Sequence, residues 1–490
     1  MKEALCTAMD GALVFWPYVV TLLNVVLSMI ASGHAVLSKR DTRAAIGWVG
    51  VIWLAPVLGV VLYIWLGINR IERRARLLRE GRPRLGLSAG VGECRATVPD
   101  EARTLAGLPL EPLVKLVRDV TRQPLLAGNQ VTPLLNGDRA YPAMLEAIDA
   151  ATKSVALSTY IFAHDGAGRR FLDALRRAVD RQVEVRVLID DVGARYSLRP
   201  MPRVLRKAGI PCAQFLPTLI PWRVQYSNLR NHRKILVVDG RIGFTGGINI
   251  HDQNCLERQP RHPVQDLHFR VTGPVVAQLQ EAFADDWAFC TGELLQGESW
   301  FSAAEPDGPV LARGIPDGPD DDFETLRLTL LGAIACARSS ILVVTPFFLP
   351  DASLIAALNV AALRGVQVDI VLPAENELKL VQWASMALLW QILERGCRVW
   401  LSPPPFDHTK LLLVDGLWSL LGSANWDPRS LRLNFEFNVE CYDRELATLL
   451  TDLTRSKIEQ SRLLSTTEMD GRSLPVRLRD GVARLFSPYL

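Results

Sequence analysis

Residues 231–249 read NHRKILVVDGRIGFTGGIN, and residues 407–425 read DHTKLLLVDGLWSLLGSAN. In both, a His is followed two residues on by a Lys, five later by an Asp, and an Asn stands seventeen past the His. On an extended strand, residues two apart project from one face, so His232 with Lys234, and His408 with Lys410, present an imidazole beside an ammonium. KILVV and KLLLV continue as buried strand and end at Asp239-Gly240 and Asp415-Gly416, a dipeptide favoured in tight hairpin turns. The returning strand carries Asn249 back toward His232 and Asn425 back toward His408.

Outward from these stretches the chain alternates. KSVALSTYIF (153–162) is strand-like, GRRFLDALRRAVDRQ (168–182) has helical periodicity, and VEVRVLID (183–190) is a β-branched run suited to a buried strand. SSILVVTPFF (339–348), ASLIAALNVAALRG (352–365) and VQVDIVLP (366–373) repeat the order. This predicts an α/β fold of two duplicated domains, each with a mixed sheet flanked by helices. The expected boundaries are 131–300 and 323–465, joined by a Gly-, Pro- and Asp-rich linker at 301–322. A basic linker is expected over 71–130, and a basic amphipathic tail, suited either to a membrane surface or to packing on the catalytic part, over 466–490.

The first seventy residues differ. From Gly11 to Ser38 and from Ala44 to Asn69 there is no Asp, Glu, Lys or Arg, and each run exceeds the roughly 20 apolar residues that cross a bilayer. They predict a transmembrane helical hairpin in residues 1–70, with spans at about 12–37 and 44–68. A cleaved signal peptide fits less well, because Glu3 and Asp10 interrupt its basic start and a second span follows at once. Seven arginines between positions 70 and 84 outweigh Lys39, Arg40 and Arg43 in the loop, which puts the bulk of the protein in the cytoplasm. Eight cysteines without a C-x-x-C pair suit reduced thiols there. The arginine run suits anionic lipid headgroups, and a net charge of +3 argues against nucleic acid as a partner.

A phosphodiester attacked without a metal needs cations around its oxygens, a nucleophile of suitable pKa, and an acid for the leaving alkoxide. Lysines supply the first, and two imidazoles supply the other two. One copy of the motif is half a site.

The H-x-K-x4-D pattern, followed seven residues later by GG or GS and then Asn, resembles the phospholipase D superfamily. With KRDTRAAIGWV (39–49), DLHFRVTGPVV (266–276) and GSANWDPRSLRLNFEFNVECYD (422–443), the chain is similar to that superfamily's bacterial cardiolipin synthase branch. The resemblance implies phosphatidyl transfer from one phosphatidylglycerol to another through a phosphohistidine, releasing glycerol, at the inner membrane of a bacterial cell. It implies His232 as nucleophile and His408 as acid and base, although the symmetry of the motifs leaves those two roles exchangeable. Lys234, Lys410, Asn249 and Asn425 would surround the phosphoryl oxygens. Acidic residues on the strand after the Gly-rich turn, Asp266 and Glu436, would hold the imidazoles. Asp239 and Asp415 complete the catalytic motif but are expected to fix the hairpin more than to touch substrate. No cofactor or metal is implied; His251, Asp252, His262, Asp266 and His268 follow no regular metal spacing. A phospholipase D that hydrolyses to phosphatidic acid shares every one of these residues and stays open as the alternative, and FLPTLIPWRVQY (215–226) is a candidate lipid-facing lip.

Overall fold

The computed structural model describes residues 2–39, 42–67, 110–197, 199–217, 229–303, 305–319 and 322–487. The arginine run and most of the candidate lip lie outside the described residues. The chain forms two compact units, residues 1–74 and 75–490.

The first unit is apolar and helical. Helix α1 (Lys2–Ser38) contains a stretch, Trp16–Ser38, long and apolar enough to cross a bilayer, the only such helix among the described residues. The second apolar run, expected as a continuous span over 44–68, is broken into α2 (Thr42–Leu54) and α3 (Pro56–Leu62), followed by a π-turn at Tyr63–Gly67. The cause is Pro56. It lacks an N–H and excludes the preceding residue from helical geometry, and Ala55 stands at φ −137°, ψ 74°. The chain doubles sharply there: a Cβ on Gly59 would lie 2.7 Å from Cα of Ile52. At 1.5 Å per residue, thirteen residues reach only about 20 Å. Ala31, Ala35, Ile52, Val60 and Tyr63 form the small core of this unit, and His34 Nδ1 lies 2.7 Å from the Tyr63 hydroxyl.

The second unit is built on one large mixed sheet. Its first half contributes β1 (Leu126–Leu135), β2 (Ser154–Thr159), β3 (Glu184–Asp190), β4 (Cys212–Phe215), β5 (Arg230–Asn231), β6 (Ile235–Val238), β7 (Ile242–Gly246), β8 (Val264–Gln265) and β9 (Leu267–Thr272). Its second half contributes β10 (Val310–Asp317), β11 (Ser340–Val344), β12 (Gln367–Pro373), β13 (Arg398–Ser402), β14 (Phe406–Asp407), β15 (Leu411–Val414), β16 (Trp418–Gly422), β17 (Asn434–Tyr442) and β18 (Arg462–Leu464). The strand order is β18-β13-β12-β11-β15-β16-β17-β10-β1-β9-β7-β6-β2-β3-β4. Read outward from the β1–β10 pair, each half runs through the same series, so β9 answers to β17, β7 to β16, β6 to β15 and β2 to β11. The duplication is thus continuous at its centre. Residues 301–322, expected as a linker, contain β10, and the helix at Glu111–Thr121 and the start of β1 fall within 71–130.

Physical reasons for this continuity sit in the sheet. β6, β15, β16 and β17 are buried along their whole length, as strands covered on both faces must be. Helix α4 (Val276–Thr291) packs Leu279, Phe283 and Trp287 into a core shared with Phe435, Phe437 and Val439 of β17, which joins the halves through apolar side chains. Each such burial is worth about 1.5–3 kcal/mol. Between β10 and β17, Arg313 and Glu440 pair at 2.5 Å with both side chains fully buried, and Arg313 also donates to the Val114 and Gln123 carbonyls.

Candidate active site

Both quoted stretches form the expected hairpins. Asp239-Gly240 has φ of +52° and +63°, and Asp415-Gly416 has +54° and +60°, the paired positive values of a tight turn that Gly and Asp adopt at low cost. The turns lie at the far ends of β6 and β15 from the histidines. Asp239 accepts hydrogen bonds from the backbone N–H groups of Thr152, Lys153 and Ser154, at 2.9, 2.7 and 2.9 Å. Asp415 does the same for Arg338, Ser339 and Ser340. The structure therefore does not bring these two carboxylates to the imidazoles; it uses them to clamp the start of β2 and of β11.

The histidines lie at the other end, and each is held by the opposite half. His232 Nδ1 is 2.9 Å from Glu436 on β17, while His408 Nδ1 is 2.8 Å from Asp266, between β8 and β9. Short parallel pairings carry the exchange: β5 lies beside β17, and β14 beside β8. The His232 N–H donates to Phe435 O, and the His408 N–H to Gln265 O. With Nδ1–H directed at a carboxylate, Nε2 of each ring is left free. Lys234 and Lys410 each donate to the carbonyl of their own histidine, at 2.7 Å for Lys234.

Burial and like charge set the protonation states. His232 is pushed down to about 4, chiefly by burial, with Lys234 and Lys410 adding to the effect and Glu436 opposing it. His408 is also lowered, by burial and by Lys410, against Asp266. Burial lowers Lys234 to about 7 and Lys410 to about 8. Burial alone would raise Glu436; the neighbouring His232 and Lys234 bring it below the usual carboxylate range. Each histidine feels the other half's lysine, so the four groups make one electrostatic site. A buried cluster of two ammonium groups is a receptacle for an anion.

The Gly-rich turns make room for this. Gly246, at φ +144°, would put a Cβ 2.8 Å from the His268 backbone, and Gly422 abuts Asn438 in the same way. Gly247 lies directly against the Asp266 carboxylate, and its counterpart Ser423 instead donates a 2.5 Å hydrogen bond to Glu436. Asn249 Oδ1 accepts from Ile161 N at 3.2 Å, and Asn425 shares a small cavity with Lys410 and Asn438.

Among the residues considered for a metal, Asp252 binds the N–H groups of Gly166 and Ala167, His251 Nδ1 accepts from Gln253 N, Asp266 holds His408, and His268 is buried under Gly246. Sequence reasoning missed several supports. Tyr160 stacks edge-on to His232 at 5.2 Å, and Lys234 sits 5.6 Å over its ring, whereas His408 packs beside Phe347 and Phe406, which also contact each other. Arg233 pairs with Asp286 of α4 at 3.0 Å, and Asp407 pairs with Lys457 in the equivalent helix of the second half. These pairs bolt each H-x-K segment to the helix behind it. Their signal is the residue that flanks His408, Asp407, and the one between His232 and Lys234, Arg233.

The model of the family described as cardiolipin synthase, PLD-like domain, matches residues 144–287 and 330–456, one match in each half. The chain belongs to that family. A second model, phospholipase D-nuclease N-terminal, matches residues 26–67. Among relatives of this cardiolipin synthase family, cardiolipin synthase A of Pseudomonas fluorescens Pf-5 is 34% identical over 96% of this chain and 98% of its own length. The protein of the same name from Pseudomonas putida GB-1 is 33% identical over 97% and 98%. In fold, the chain is similar to a phosphatidylserine synthase from Haemophilus influenzae Rd KW20, with a TM-score of 0.59 at 18% identity over 77% of this chain and all of the other.

Proposed function

We propose that the protein is a phosphatidyltransferase that makes cardiolipin from two molecules of phosphatidylglycerol. The observation that carries the reading is the crossed pair of tethers, His232 to Glu436 and His408 to Asp266, with a lysine beside each ring. Full-length similarity to proteins named cardiolipin synthase A supports the substrate.

Nε2 of His232 attacks the phosphorus of one phosphatidylglycerol, a P–N bond forms, and the P–O bond to the headgroup glycerol breaks. His408, as imidazolium, gives its Nε2 proton to that glycerol oxygen. A hydroxyl of a second phosphatidylglycerol then passes its proton to the now neutral His408 while its oxygen attacks phosphorus, and the P–N bond breaks. Both histidines end as they began. Burial keeps His232 neutral near pH 7, the form the first role needs, and the matching tethers of the two rings leave the roles exchangeable. The negative phosphodiester, once bound, offsets the lysines and favours the protonated form of His408. Lys234 and Lys410 neutralise the phosphoryl oxygens; Asn249 and Asn425 flank them. Asp239 and Asp415 hold the hairpins from the far end and take no part in proton transfer.

We place the enzyme at a bacterial inner membrane, with α1 spanning it, the broken α2–α3 segment completing the anchor by returning the chain, and the catalytic unit in the cytoplasm as the basic residues after residue 70 direct. The test supplies membranes containing the protein with phosphatidylglycerol. Cardiolipin plus glycerol is the expected product, and phosphatidic acid in its place would establish hydrolysis. His232→Ala and His408→Ala should each lower turnover by roughly 1,000-fold or more, leaving a small measurable residue; near-normal activity in either would refute the shared site.

A further inference from the structure

The helix α5 (Leu474–Leu485) is mounted the wrong way round for a soluble surface. Its buried face carries Asp480 and Ala483. Asp480, 1% exposed, is tied to Arg472 at 2.7 Å and to Arg479 at 2.7 Å. On the opposite side Leu474, Leu478, Val482 and Leu485 are 68, 59, 55 and 75% exposed. Steps of four, four and three residues stack these four side chains into one stripe, where an ordinary surface helix would carry polar groups. Arg477 and Arg484, both exposed, run together along one flank of the stripe.

Its position in the fold adds a second argument. β11 and β12 are parallel, and both end at the side of the sheet where His408 precedes the antiparallel β15. β11 leads into Pro346 and Phe347, the latter ring 6.5 Å from that of His408. β12 leads into Asn376, which donates to the Pro346 carbonyl at 2.8 Å, and then into the helix Lys379–Met386. α5 packs on that helix, with Arg479 4.5 Å over the ring of Trp383, and Leu378 at the helix start is 55% exposed. The outward apolar stripe thus belongs to the end of the sheet that holds the imidazoles.

We propose that α5 is an interfacial helix that seats the catalytic end of the second half on an anionic bilayer, its leucines among the acyl chains and Arg477 and Arg484 at the headgroups. A helix with one apolar face and basic flanks lies in the plane of a membrane interface, and arginines draw it to negatively charged lipid. The consequence is access. A phospholipid has to present its phosphate to His232 and His408 while its acyl chains stay in the bilayer, and a docked α5 brings that end of the sheet to the lipid surface. This role rests on the phosphatidylglycerol reading above.

Photo-crosslinking of the full chain, reconstituted in vesicles of phosphatidylglycerol and phosphatidylcholine, tests it. Benzoylphenylalanine at Leu478 or Val482 should give a light-dependent phospholipid adduct, and the same group at Lys153, at the opposite end of the sheet, should give none. A product of twice the chain mass would assign the stripe to a second copy and overturn the proposal, as would equal lipid labelling at all three sites or none at any. In parallel, the double variant L478E/V482E should form cardiolipin from bilayer phosphatidylglycerol at least tenfold more slowly, while cleaving monomeric dihexanoyl phosphatidylglycerol within twofold of the parent. Equal loss on both substrates would make α5 a structural element only. Lipid adducts from a protein that makes no cardiolipin would leave the docking surface standing and sink the transferase reading instead.

Discussion

Glu436 reaches across the duplication to hold His232, at 2.9 Å, while Asp266 reaches back to hold His408 at 2.8 Å. Neither half therefore contains a complete histidine–carboxylate pair of its own. A carboxylate at Nδ1 sets the tautomer and the ring orientation, so Glu436→Gln should lower kcat by ~100-fold or more by presenting an amide that permits the wrong tautomer. Asp266→Asn should do the same from the other side. Because each carboxylate acts through its ring, the double variant E436Q/H232A should be no slower than H232A alone. Steady-state rates of cardiolipin formation by E436Q, D266N, H232A and E436Q/H232A check this; additive losses would mean that Glu436 acts independently of His232.

The two tethers are built differently. Gly247 touches the Asp266 carboxylate, and a side chain there would occupy the carboxylate's own space. Gly247→Ala should push Asp266 off His408 and cost about as much activity as Asp266→Asn. Ser423, at the matching position, donates to Glu436, which keeps its contact with Asn434 as well. Ser423→Ala removes one of several partners and should cost roughly tenfold at most, at the low end of the about 1.5–3 kcal/mol for a hydrogen bond to a charged group because the other partners remain. If the order of the two losses is reversed, Gly247 is not needed for space.

The doublet of His and Lys, the turn chemistry and the strand–helix–strand order were legible because each is local: periods of two and 3.6 residues and a dipeptide with positive φ. The crossing of Glu436 and Asp266 was not. Which imidazole each carboxylate serves depends on β5 lying beside β17 and β14 beside β8, and no local pattern encodes such pairings. The place of β10 was hidden for a similar reason, since its Gly and Pro residues imitate a linker while its pairing with β17 buries Arg313 on Glu440. The break at Pro56 was visible as a single residue. Hydropathy alone counted it among apolar neighbours, although the missing N–H outweighs its apolar surface.

Asp239 and Asp415 should matter to stability rather than to chemistry. Asp239 accepts three backbone N–H bonds and one from the Thr152 hydroxyl, and these contacts lower its pKa despite partial burial. Asp239→Ala should destabilise the catalytic unit by about 2 kcal/mol, with Asp239→Asn roughly half of that, because Asn keeps one acceptor and tolerates the positive φ. Denaturant unfolding of the variants measures the loss. The pH dependence of turnover should not move, and a change in its shape would put Asp239 back among the catalytic groups.

That pH dependence follows from the groups at the site. Turnover needs His232 neutral and His408 protonated. His232, lowered to about 4 by burial, meets its condition once the pH rises above that value. His408, lowered from 6.5 by burial and Lys410, loses its proton in the free enzyme before the pH reaches the ordinary imidazole range. The plot of kcat/KM, which reports the free enzyme, should therefore peak on the acid side of 6.5. Above it the fall steepens as Lys234, near 7, and Lys410, near 8, give up the charges that attract the phosphodiester. The bound phosphodiester favours protonation of His408, so the alkaline limb of kcat should lie at higher pH than that of kcat/KM. Rates of cardiolipin formation between pH 4 and 10, at low and at saturating phosphatidylglycerol, separate the two curves. Superimposed limbs would show that bound substrate leaves His408 unchanged, and the acid role would then have to belong to another group.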